Sequence, residues 1–120
     1  MSMRYTKEAR KGYIDGIVML YDIKSDHVSS FNATKNAVDR NDLNPIAVLR
    51  YNIKTKRDTD LNFAEAHDRT LSLKVVTPFC GKAEADQYAI TDGVLYTIYH
   101  VDHERAEDCM YLYLEEVRKL

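Results

Sequence analysis

The sequence is short of the residues that mark several large classes of protein. Its 120 residues include no Trp, 2 Cys, 2 Pro and 4 Gly. The longest apolar run, residues 17–21, is far below the roughly 18–20 apolar residues of a membrane-spanning helix, which excludes such a helix. Residues 1–11 are polar and basic, and no apolar signal-peptide segment follows them, so we expect a protein made and kept in a cytoplasm.

The spacing of cysteine and glycine excludes two kinds of site. Cys80 and Cys109 lie far apart and neither belongs to a CxxC pair, so we expect reduced thiols that pack as small hydrophobic side chains. The glycines are isolated from one another, at Gly12, Gly16, Gly81 and Gly93. Neither a phosphate-binding loop nor a dinucleotide fingerprint can be built from that spacing.

Charge is nearly balanced, with 17 Lys and Arg against 19 Asp and Glu and a net charge of -2. Nucleic-acid-binding domains are usually strongly basic, so this balance argues against phosphate neutralisation as the protein's main work. Basic side chains gather in residues 1–11, which we interpret as a solvated arm, with contact to an acidic surface as the alternative. The length fits a single domain, residues 1–120, because two domains would each be too small to bury a useful core.

Alternating apolar and polar residues predict six half-buried antiparallel strands, at residues 12–24, 46–56, 69–77, 87–91, 94–103 and 109–117. The first strand places on one face Ile17, Met19, Tyr21 and Ile23. The second strand places on one face Ala47, Leu49, Tyr51 and Ile53. Pro45 is expected to be the first residue of this strand, where no ladder N–H is needed. In the third, Leu71, Leu73 and Val75 face away from a polar side made of Thr70, Ser72 and Lys74.

The C-terminal third gives the strongest local signal. Asp92 and Gly93 suit a tight hairpin turn, because both residue types tolerate a positive φ, and residues 104–108 suit a second hairpin loop. The last strand separates an apolar face from a tyrosine face, with Met110, Leu112 and Leu114 opposite Tyr111 and Tyr113. We expect Tyr99 to pair across strands with Tyr111 or Tyr113, and the alternative is that these tyrosines form a partner surface.

Two segments break the strand pattern. Residues 25–44 form a polar stretch too long for a simple connection, which predicts a working or partly disordered loop. Residues 58–67 suggest one or two helical turns or an irregular crossing. The predicted fold is therefore mainly β: a small antiparallel β-barrel or sandwich with a long polar loop and at most one short helix.

The sequence contains no recognisable constellation of catalytic residues. The best metal candidate is His100 with Asp102, which share a strand side, while His103 faces the other way. A third ligand would have to come from elsewhere, for example Glu107 or Asp108 across the hairpin. We interpret these residues as polar side chains approaching a turn, and Cys109 as a packed thiol rather than a nucleophile. The acidic pairs Asp58/Asp60 and Glu115/Glu116 are assigned to solvated faces. The sequence thus predicts no catalytic residue, no metal and no cofactor.

The aromatic residues favour protein contacts. Nine Tyr and 3 Phe make up the aromatic set. The tyrosine-rich C-terminal strands are flanked by carboxylates that would repel phosphate, so a nucleic-acid-binding groove is poorly supported. Tyrosine adds contact area at modest entropy cost, which fits a protein–protein surface better.

Residues 61–119 resemble the head–tail joining proteins of long-tailed bacteriophages, the head-closure or adaptor group. The match is a pattern of strands: residues 61–66 and 71–75, the Asp92-Gly93 turn, a strand centre at 96–98, a strand end at 101–102, a charged loop at 104–108 and a closing strand at 110–114. The first 60 residues fit only in strand order.

The resemblance implies a structural protein of a phage or prophage virion, assembled in the bacterial host cytoplasm. It implies a small β-barrel that binds as a homo-oligomeric ring beneath the portal and adaptor proteins, closes the DNA channel and offers a docking surface to tail proteins. Membrane and sequence-specific nucleic acid are not expected partners. The alternatives are a tail terminator or tail-completion protein, a small ligand-binding or nucleic-acid-binding β-barrel, and an enzyme using His100, His103 or Cys109.

Candidate interface residues follow from this hypothesis. We expect residues 25–44 to contact the channel or a neighbouring subunit through Val28, Phe31 and Val38. We expect ring contacts from residues 58–66 and the tyrosine face, represented by Phe63, Tyr99, Tyr111 and Tyr113.

Overall fold

The computed structural model describes residues 12–23 and 42–120, and in them a closed antiparallel barrel of six strands with one helix. Its elements are β1 (Gly16–Ile23), β2 (Leu43–Ile53), α1 (Asp58–Ala66), β3 (Leu73–Pro78), β4 (Tyr88–Thr91), β5 (Val94–Glu104) and β6 (Cys109–Lys119). Around the barrel the strands run β1-β2-β3-β6-β5-β4, and β4 closes the ring by pairing with β1. The predicted mainly β fold with one short helix is confirmed. Within the described ranges, no helix is long and apolar enough to span a membrane.

Aliphatic side chains fill the inside of the barrel. The main cluster includes side chains with 0% exposure from five of the six strands: Val18, Leu20, Val75, Ala89, Ile98, Met110, Leu112 and Leu114. The predicted apolar face of β6 is confirmed, because Met110, Leu112 and Leu114 all belong to this cluster. A barrel of this size has just enough interior for its own side chains, so the core and the barrel's inside are the same space.

The apolar face of β1 was assigned to the wrong side of the sheet. Val18 and Leu20 point into the barrel at 0% exposure, whereas Ile17 and Met19 lie outside at 49% and 37%. The sequence could not decide between the two sides because residues 17–21 are apolar on both. Tyr21, also on the outer side, packs in a second apolar cluster with Leu43, Tyr88, Ile90 and Leu95.

The second strand begins earlier than predicted. Leu43 pairs with Ile23 and Asn44 with Asp22, so the expected loop over residues 25–44 is wrong at its C-terminal end. Pro45 is not the first residue of β2. It lies opposite Tyr21 of β1, next to the register shift between Leu20 and Tyr21, where its missing N–H is tolerated. The rest of that loop, including Val28, Phe31 and Val38, and the arm at residues 1–11 lie outside the described residues.

Both predicted hairpins are present. Asp92 (φ 53°) and Gly93 (φ 73°) both adopt the left-handed conformation of a type I′ turn, which matches the twist of the flanking strands. β5 ends at Glu104 and β6 begins at Cys109, with residues 105–108 as the connection. A register shift between Ile98 and His100 leaves Tyr99 as an extra residue, so Tyr99 and His100 both reach the outer face.

Gly16 makes room for a buried tyrosine at one end of the barrel. A Cβ at this position would lie 2.7 Å from both Cζ and Oη of Tyr51. That ring cannot easily move, because its hydroxyl lies 2.9 Å from Thr91 Oγ1, which in turn donates to the carbonyl of Ile17 at 2.9 Å. A side chain at residue 16 would therefore displace a hydrogen-bonded network.

We expect Gly16→Ala to lower the free energy of unfolding by about 1–3 kcal/mol, the usual cost of overpacking. Urea unfolding followed by tyrosine fluorescence measures the change. Gly81→Ala is the control, because a Cβ there would meet the Phe79 ring at an ordinary 3.7 Å. Equal stability of the two variants would show that Tyr51 relaxes at no cost.

Candidate functional site

Helix α1 lies across the outer face of β3, β5 and β6, and together they form the site that we call the α1 face. Ala64 of the helix packs with Leu71 and Tyr113 in a small apolar cluster of its own. Partly buried Tyr99 and Tyr111 pack against that cluster. Four predicted interface residues, Phe63, Tyr99, Tyr111 and Tyr113, are thus brought together, although they come from three different elements.

Aromatic rings connect the helix to the strands beneath it. The Phe63 ring centroid lies 4.3 Å from that of His67, 4.9 Å from that of His100 and 6.4 Å from that of Tyr99. Tyr99 and Tyr113 form the expected cross-strand pair, with centroids 6.2 Å apart and planes tilted by 55°. The extra residue in β5 makes this arrangement possible, because it places Tyr99 and His100 beside the same tyrosine.

The predicted interface residues differ in what they can offer a partner. Tyr113 is only 6% exposed, because α1 covers it, so its ring supports the helix from below. Phe63, Tyr99 and Tyr111 remain partly exposed. The hydroxyl oxygen of Tyr99 is buried without a hydrogen-bond partner in the described part of the chain.

A buried ion pair joins the first turn of α1 to the barrel. Lys74 Nζ donates to Asp60 Oδ2 at 2.8 Å, and both side chains are only 5% exposed. The backbone N–H of Arg57 donates to the same carboxylate at 2.9 Å, which caps the helix. Two tyrosine rings enclose the ammonium, with Nζ 5.3 Å from the Tyr111 centroid and 5.4 Å from that of Tyr113.

Lys74 does lie on the side of the sheet opposite Val75, as the strand pattern predicts, but α1 buries it there, and the assignment of Asp60 to a solvated face is wrong. Strand and charge patterns take no account of a helix packed on the outside of the sheet. One signal was present in the sequence: Lys74 stands between Leu73 and Val75, a lysine there needs a counter-ion if a helix covers it, and residues 58–67 carry early acidic residues.

The pKa values of Asp60 and Tyr113 reflect this burial. Burial alone raises the pKa of Asp60, but hydrogen bonds from Lys74 and Arg57 outweigh it and lower the pKa to about 2. Burial, together with the nearby Asp60 carboxylate, raises the pKa of Tyr113 to about 12. Tyr113 therefore keeps its proton and donates to Asp60 Oδ1 at 3.4 Å.

Acid should weaken the fold through Asp60. Its pKa falls from 3.8 to about 2 on folding, so its stabilising contribution is complete above about pH 4 and is lost as the pH falls towards 2. A shift of this size corresponds to about 2 kcal/mol. Urea unfolding of the wild type and of Asp60→Asn at several pH values between these limits measures the effect. We expect a shallower pH dependence for Asp60→Asn; parallel curves would contradict the assignment.

A second ion pair holds the chain that leaves α1. Arg69 Nε donates to Glu115 Oε1 at 2.6 Å, and its guanidinium also donates to Thr97 Oγ1 at 3.0 Å. The backbone N–H of Thr70 donates to Glu115 Oε2 at 3.2 Å, and the guanidinium carbon lies 5.2 Å from the Tyr99 ring centroid. Glu115 was assigned to a solvated face, which is wrong: it fixes the return of the chain to β3.

Two clefts flank the helix. The first, which we call the Asp102 cleft, has a volume of about 400 Å³ and is lined by Ile53, Lys54, Thr55, Arg57, Lys74, Asp102, Glu104, Tyr111 and Tyr113. The second has a volume of about 560 Å³ and is lined by Arg69, Asp86, Tyr88, Thr97, Glu115, Glu116 and Val117. The first cleft sets two carboxylates beside three cations, and the second sets three carboxylates and a tyrosine beside one arginine.

The histidine and cysteine candidates lie in different environments. His100 and Asp102 do face outwards and His103 inwards, as alternation predicts, since they pair with Tyr113, Tyr111 and Met110 respectively. Residues 12–23 and 42–120 contain no group of three or more His, Cys, Asp and Glu arranged to hold a metal ion. His103 stacks on Phe79 with centroids 3.8 Å apart. Cys109 is fully buried, and Cys80 packs against the core.

The α1 face thus combines ion pairs that fix both ends of the helix with aromatic rings left partly open to solvent. Aromatic residues and arginine at a rigid surface are the composition typical of the centre of protein interfaces. Comparisons of the chain with protein-family models, with curated proteins and with solved structures found no match.

Proposed function

We propose that the chain is a structural subunit of a bacteriophage or prophage head–tail connector. In this role it joins the portal and adaptor proteins of the filled head to the tail and closes the DNA channel. It acts through protein contacts alone, as part of a ring in the virion, with no catalytic step and no cofactor. The proposal rests on the strand pattern of residues 61–119, which resembles that of head–tail joining proteins.

The filled barrel is the observation that best supports an assembly role. Side chains such as Leu20, Ile98 and Leu112 occupy the interior at 0% exposure. Ligand-binding barrels keep part of that space for the ligand. This protein therefore recognises its partners through its outer surface, where α1, two clefts and several exposed apolar side chains lie.

The charge of that surface favours a protein partner over nucleic acid. The second cleft is lined by Asp86, Glu115 and Glu116 and by a single cation, Arg69, which pairs with Glu115, whereas the first sets Asp102 and Glu104 beside lysine and arginine side chains. The excess of carboxylates in the second cleft opposes the binding of phosphate groups there. A protein near exiting DNA benefits from such a surface, because a channel component should not hold the DNA back.

Co-sedimentation with phage particles tests the proposal. The purified protein is mixed with tailless, DNA-filled heads of the phage whose genome encodes it, and in parallel with isolated tails. We expect saturable binding to heads. Phe63→Ala removes the central ring of the α1 face and should weaken that binding, whereas Phe79→Ala, which removes a more exposed ring on the β3–β4 connection, is the control.

The other outcomes select among the alternatives. Binding to tails alone would assign the chain to tail termination or tail completion. Binding to neither particle would contradict the proposal and favour a small ligand-binding or nucleic-acid-binding barrel. Titration with DNA at two salt concentrations then tests the nucleic-acid alternative, because phosphate contacts weaken steeply as salt rises.

A further inference from the structure

The second of the two clefts already holds an arginine of the chain itself. Arg69 donates to Glu115 Oε1 at 2.6 Å and to Thr97 Oγ1 at 3.0 Å. Its guanidinium carbon lies 5.2 Å from the Tyr99 ring centroid. A carboxylate, a hydroxyl and an aromatic ring thus hold one guanidinium, and these are groups that arginine binds well in proteins.

A tyrosine and a further carboxylate line the rest of this cleft, which we call the Tyr88 cleft. Tyr88 pairs with Thr97 across β4 and β5, and Thr97 pairs with Glu115 across β5 and β6. Side chains paired in this way lie on the same face of a sheet, so Tyr88 stands on the outer face in one row with the two residues that hold Arg69. The cleft is lined by Arg69, Asp86, Tyr88, Thr97, Glu115, Glu116 and Val117.

Tyr88 offers this cleft a hydroxyl group that nothing in the described part of the chain engages. The residue is only 9% exposed, and its hydroxyl makes no hydrogen bond within residues 12–23 and 42–120. Unlike the enclosed hydroxyl of Tyr99, it is open to the cleft. Burial and the nearby Asp86 raise the pKa of Tyr88, so the hydroxyl keeps its proton. A polar group on a nearly buried side chain normally has a hydrogen-bond partner, and here a partner can reach it through the cleft.

Asp86 supplies the free carboxylate of the cleft. Its side chain is exposed and makes no hydrogen bond or ion pair with the residues that the structure describes. Its backbone is fixed, because its N–H donates to the carbonyl of Ile98 at 2.7 Å. The other two carboxylates are engaged: Glu115 accepts from Arg69, and Glu116 Oε2 lies 3.6 Å from Lys119 Nζ. Asp86 therefore leaves the cleft with a negative charge that no neighbouring cation balances.

We propose that the Tyr88 cleft receives an arginine side chain from a protein partner. The guanidinium donates to the Asp86 carboxylate and to the Tyr88 hydroxyl oxygen, and its methylene stem packs on Val117, which is 38% exposed. The cleft thus binds a second guanidinium with the same kinds of group that it already uses for Arg69.

The position of the cleft favours a protein segment as the source of this arginine. Arg69 lines the cleft and at the same time lies over Tyr99, a partly exposed ring of the α1 face. A protein seated on the rings of the α1 face therefore reaches the cleft with its neighbouring residues. The inference rests on the proposed function for the docking of a partner at the α1 face, and it adds the chemistry of that partner: an arginine beside the residues that contact the rings.

Titration of the ¹⁵N-labelled protein with capped tripeptides tests the cleft. One peptide carries arginine between two glycines, and the matched peptide carries glutamine in place of the arginine. Amide shifts in two-dimensional NMR spectra report both the affinity and the place of binding. We expect saturable shifts at Asp86, Tyr88 and Thr97 with the arginine peptide, and an affinity roughly 10-fold lower or less for the glutamine peptide, because hydrogen bonds to a charged group are the stronger ones.

Two substitutions identify the groups that bind. Asp86→Asn removes the free carboxylate and should weaken binding of the arginine peptide about 10-fold, and Tyr88→Phe removes only the hydroxyl and should weaken it about 5-fold. Asp92→Asn is the matched control, because Asp92 is also exposed and also has a positive φ (53° against 74° for Asp86) but lies in the β4–β5 turn, away from the cleft lining. Asparagine tolerates a positive φ, so we expect wild-type thermal unfolding midpoints for both asparagine variants.

Two results of the titration would overturn the inference: equal affinities for the arginine and glutamine peptides, or equal losses of affinity in Asp86→Asn and Asp92→Asn. Co-sedimentation tests the protein source. We expect Asp86→Asn, but not Asp92→Asn, to weaken binding to the phage particle that the wild type recognises. Unchanged particle binding by Asp86→Asn would assign the cleft to a small guanidinium compound and exclude the protein partner.

The same two assays separate this inference from the proposed function. A protein that prefers the arginine peptide through Asp86 but binds neither heads nor tails contradicts the connector role alone. A protein that binds heads but shows no preference for the arginine peptide contradicts the assignment of the Tyr88 cleft alone.

Discussion

Asp60→Ala is expected to lower the free energy of unfolding by about 3–5 kcal/mol, because it leaves the Lys74 ammonium buried without a counter-ion. The lysine side chain is 5% exposed and donates to Asp60 at 2.8 Å, so water cannot replace the lost carboxylate without moving α1. The same substitution removes the side chain that accepts from the Arg57 N–H at the start of the helix. Urea unfolding monitored by circular dichroism measures the loss.

Two further variants show whether the loss comes from the unpaired charge. Asp58→Ala removes an exposed carboxylate from the same helical turn and should cost at most about 1 kcal/mol, the usual size of a helix-dipole contribution. Asp60→Leu combined with Lys74→Met removes both charges and should recover most of the stability, since apolar side chains can replace a buried ion pair. A double variant as unstable as Asp60→Ala would show that the cap, and not the charge, is what matters.

Leu112→Ala is the second substitution with a large expected effect, a loss of about 2–5 kcal/mol. Leu112 has 0% exposure and pairs with Val75 of β3 and with Val101 of β5, so it occupies the middle of the filled barrel. Its truncation leaves a cavity that strands tied on both sides cannot close. The change in the midpoint of urea unfolding gives the value.

Val117→Ala provides the comparison on the same strand. Val117 is 38% exposed near the end of β6, so its truncation should change stability by about 0.5 kcal/mol or less. If Leu112→Ala cost no more than Val117→Ala, the described packing of the barrel interior would be wrong.

The sequence predicted best those elements whose signal is local. The Asp92-Gly93 turn, the β5–β6 hairpin and the apolar face of β6 all follow from residues close together in the chain. A positive φ at two consecutive turn residues and strict alternation along a strand are properties that a short segment decides by itself. The C-terminal hairpins were accordingly placed within a residue or two of their observed ends.

The errors arise where a distant element decides the outcome. Both faces of β1 are apolar, so only the closure of the barrel determines that Leu20 faces inwards and Met19 outwards. Lys74 has the pattern of a solvent-facing residue until α1 covers it. Propensity and periodicity describe one strand at a time, and neither records what packs on its outer side.

The sequence predicted the aromatic residues of the candidate site but not its ion pairs. Tyr99, Tyr111 and Tyr113 could be grouped because aromatic pairs between neighbouring strands are common, and Phe63 joined them through the contacts expected of residues 58–66. The Asp60–Lys74 and Arg69–Glu115 pairs join residues that are distant in the chain, and no spacing rule links them. The extra residue at Tyr99 is similarly invisible in the sequence, although it places Tyr99 and His100 together.

The barrel is closed, but its strands are unevenly joined, and this has a consequence for how it opens. β1 meets β4 only along Met19, Leu20 and Tyr21, and β2 meets β3 at Asn52 and Ile53 with one more backbone bond from Lys54 to Lys74. β1 pairs with β2 along its whole length, with one register shift, and β5 pairs with β6 along nearly the whole of both strands. The molecule is therefore two curved sheets, an N-terminal hairpin and a four-stranded C-terminal sheet, that meet along two short seams. We expect partial unfolding to begin at these two seams. The hairpin separates as a unit, while the backbone amides of the larger sheet stay protected from hydrogen exchange.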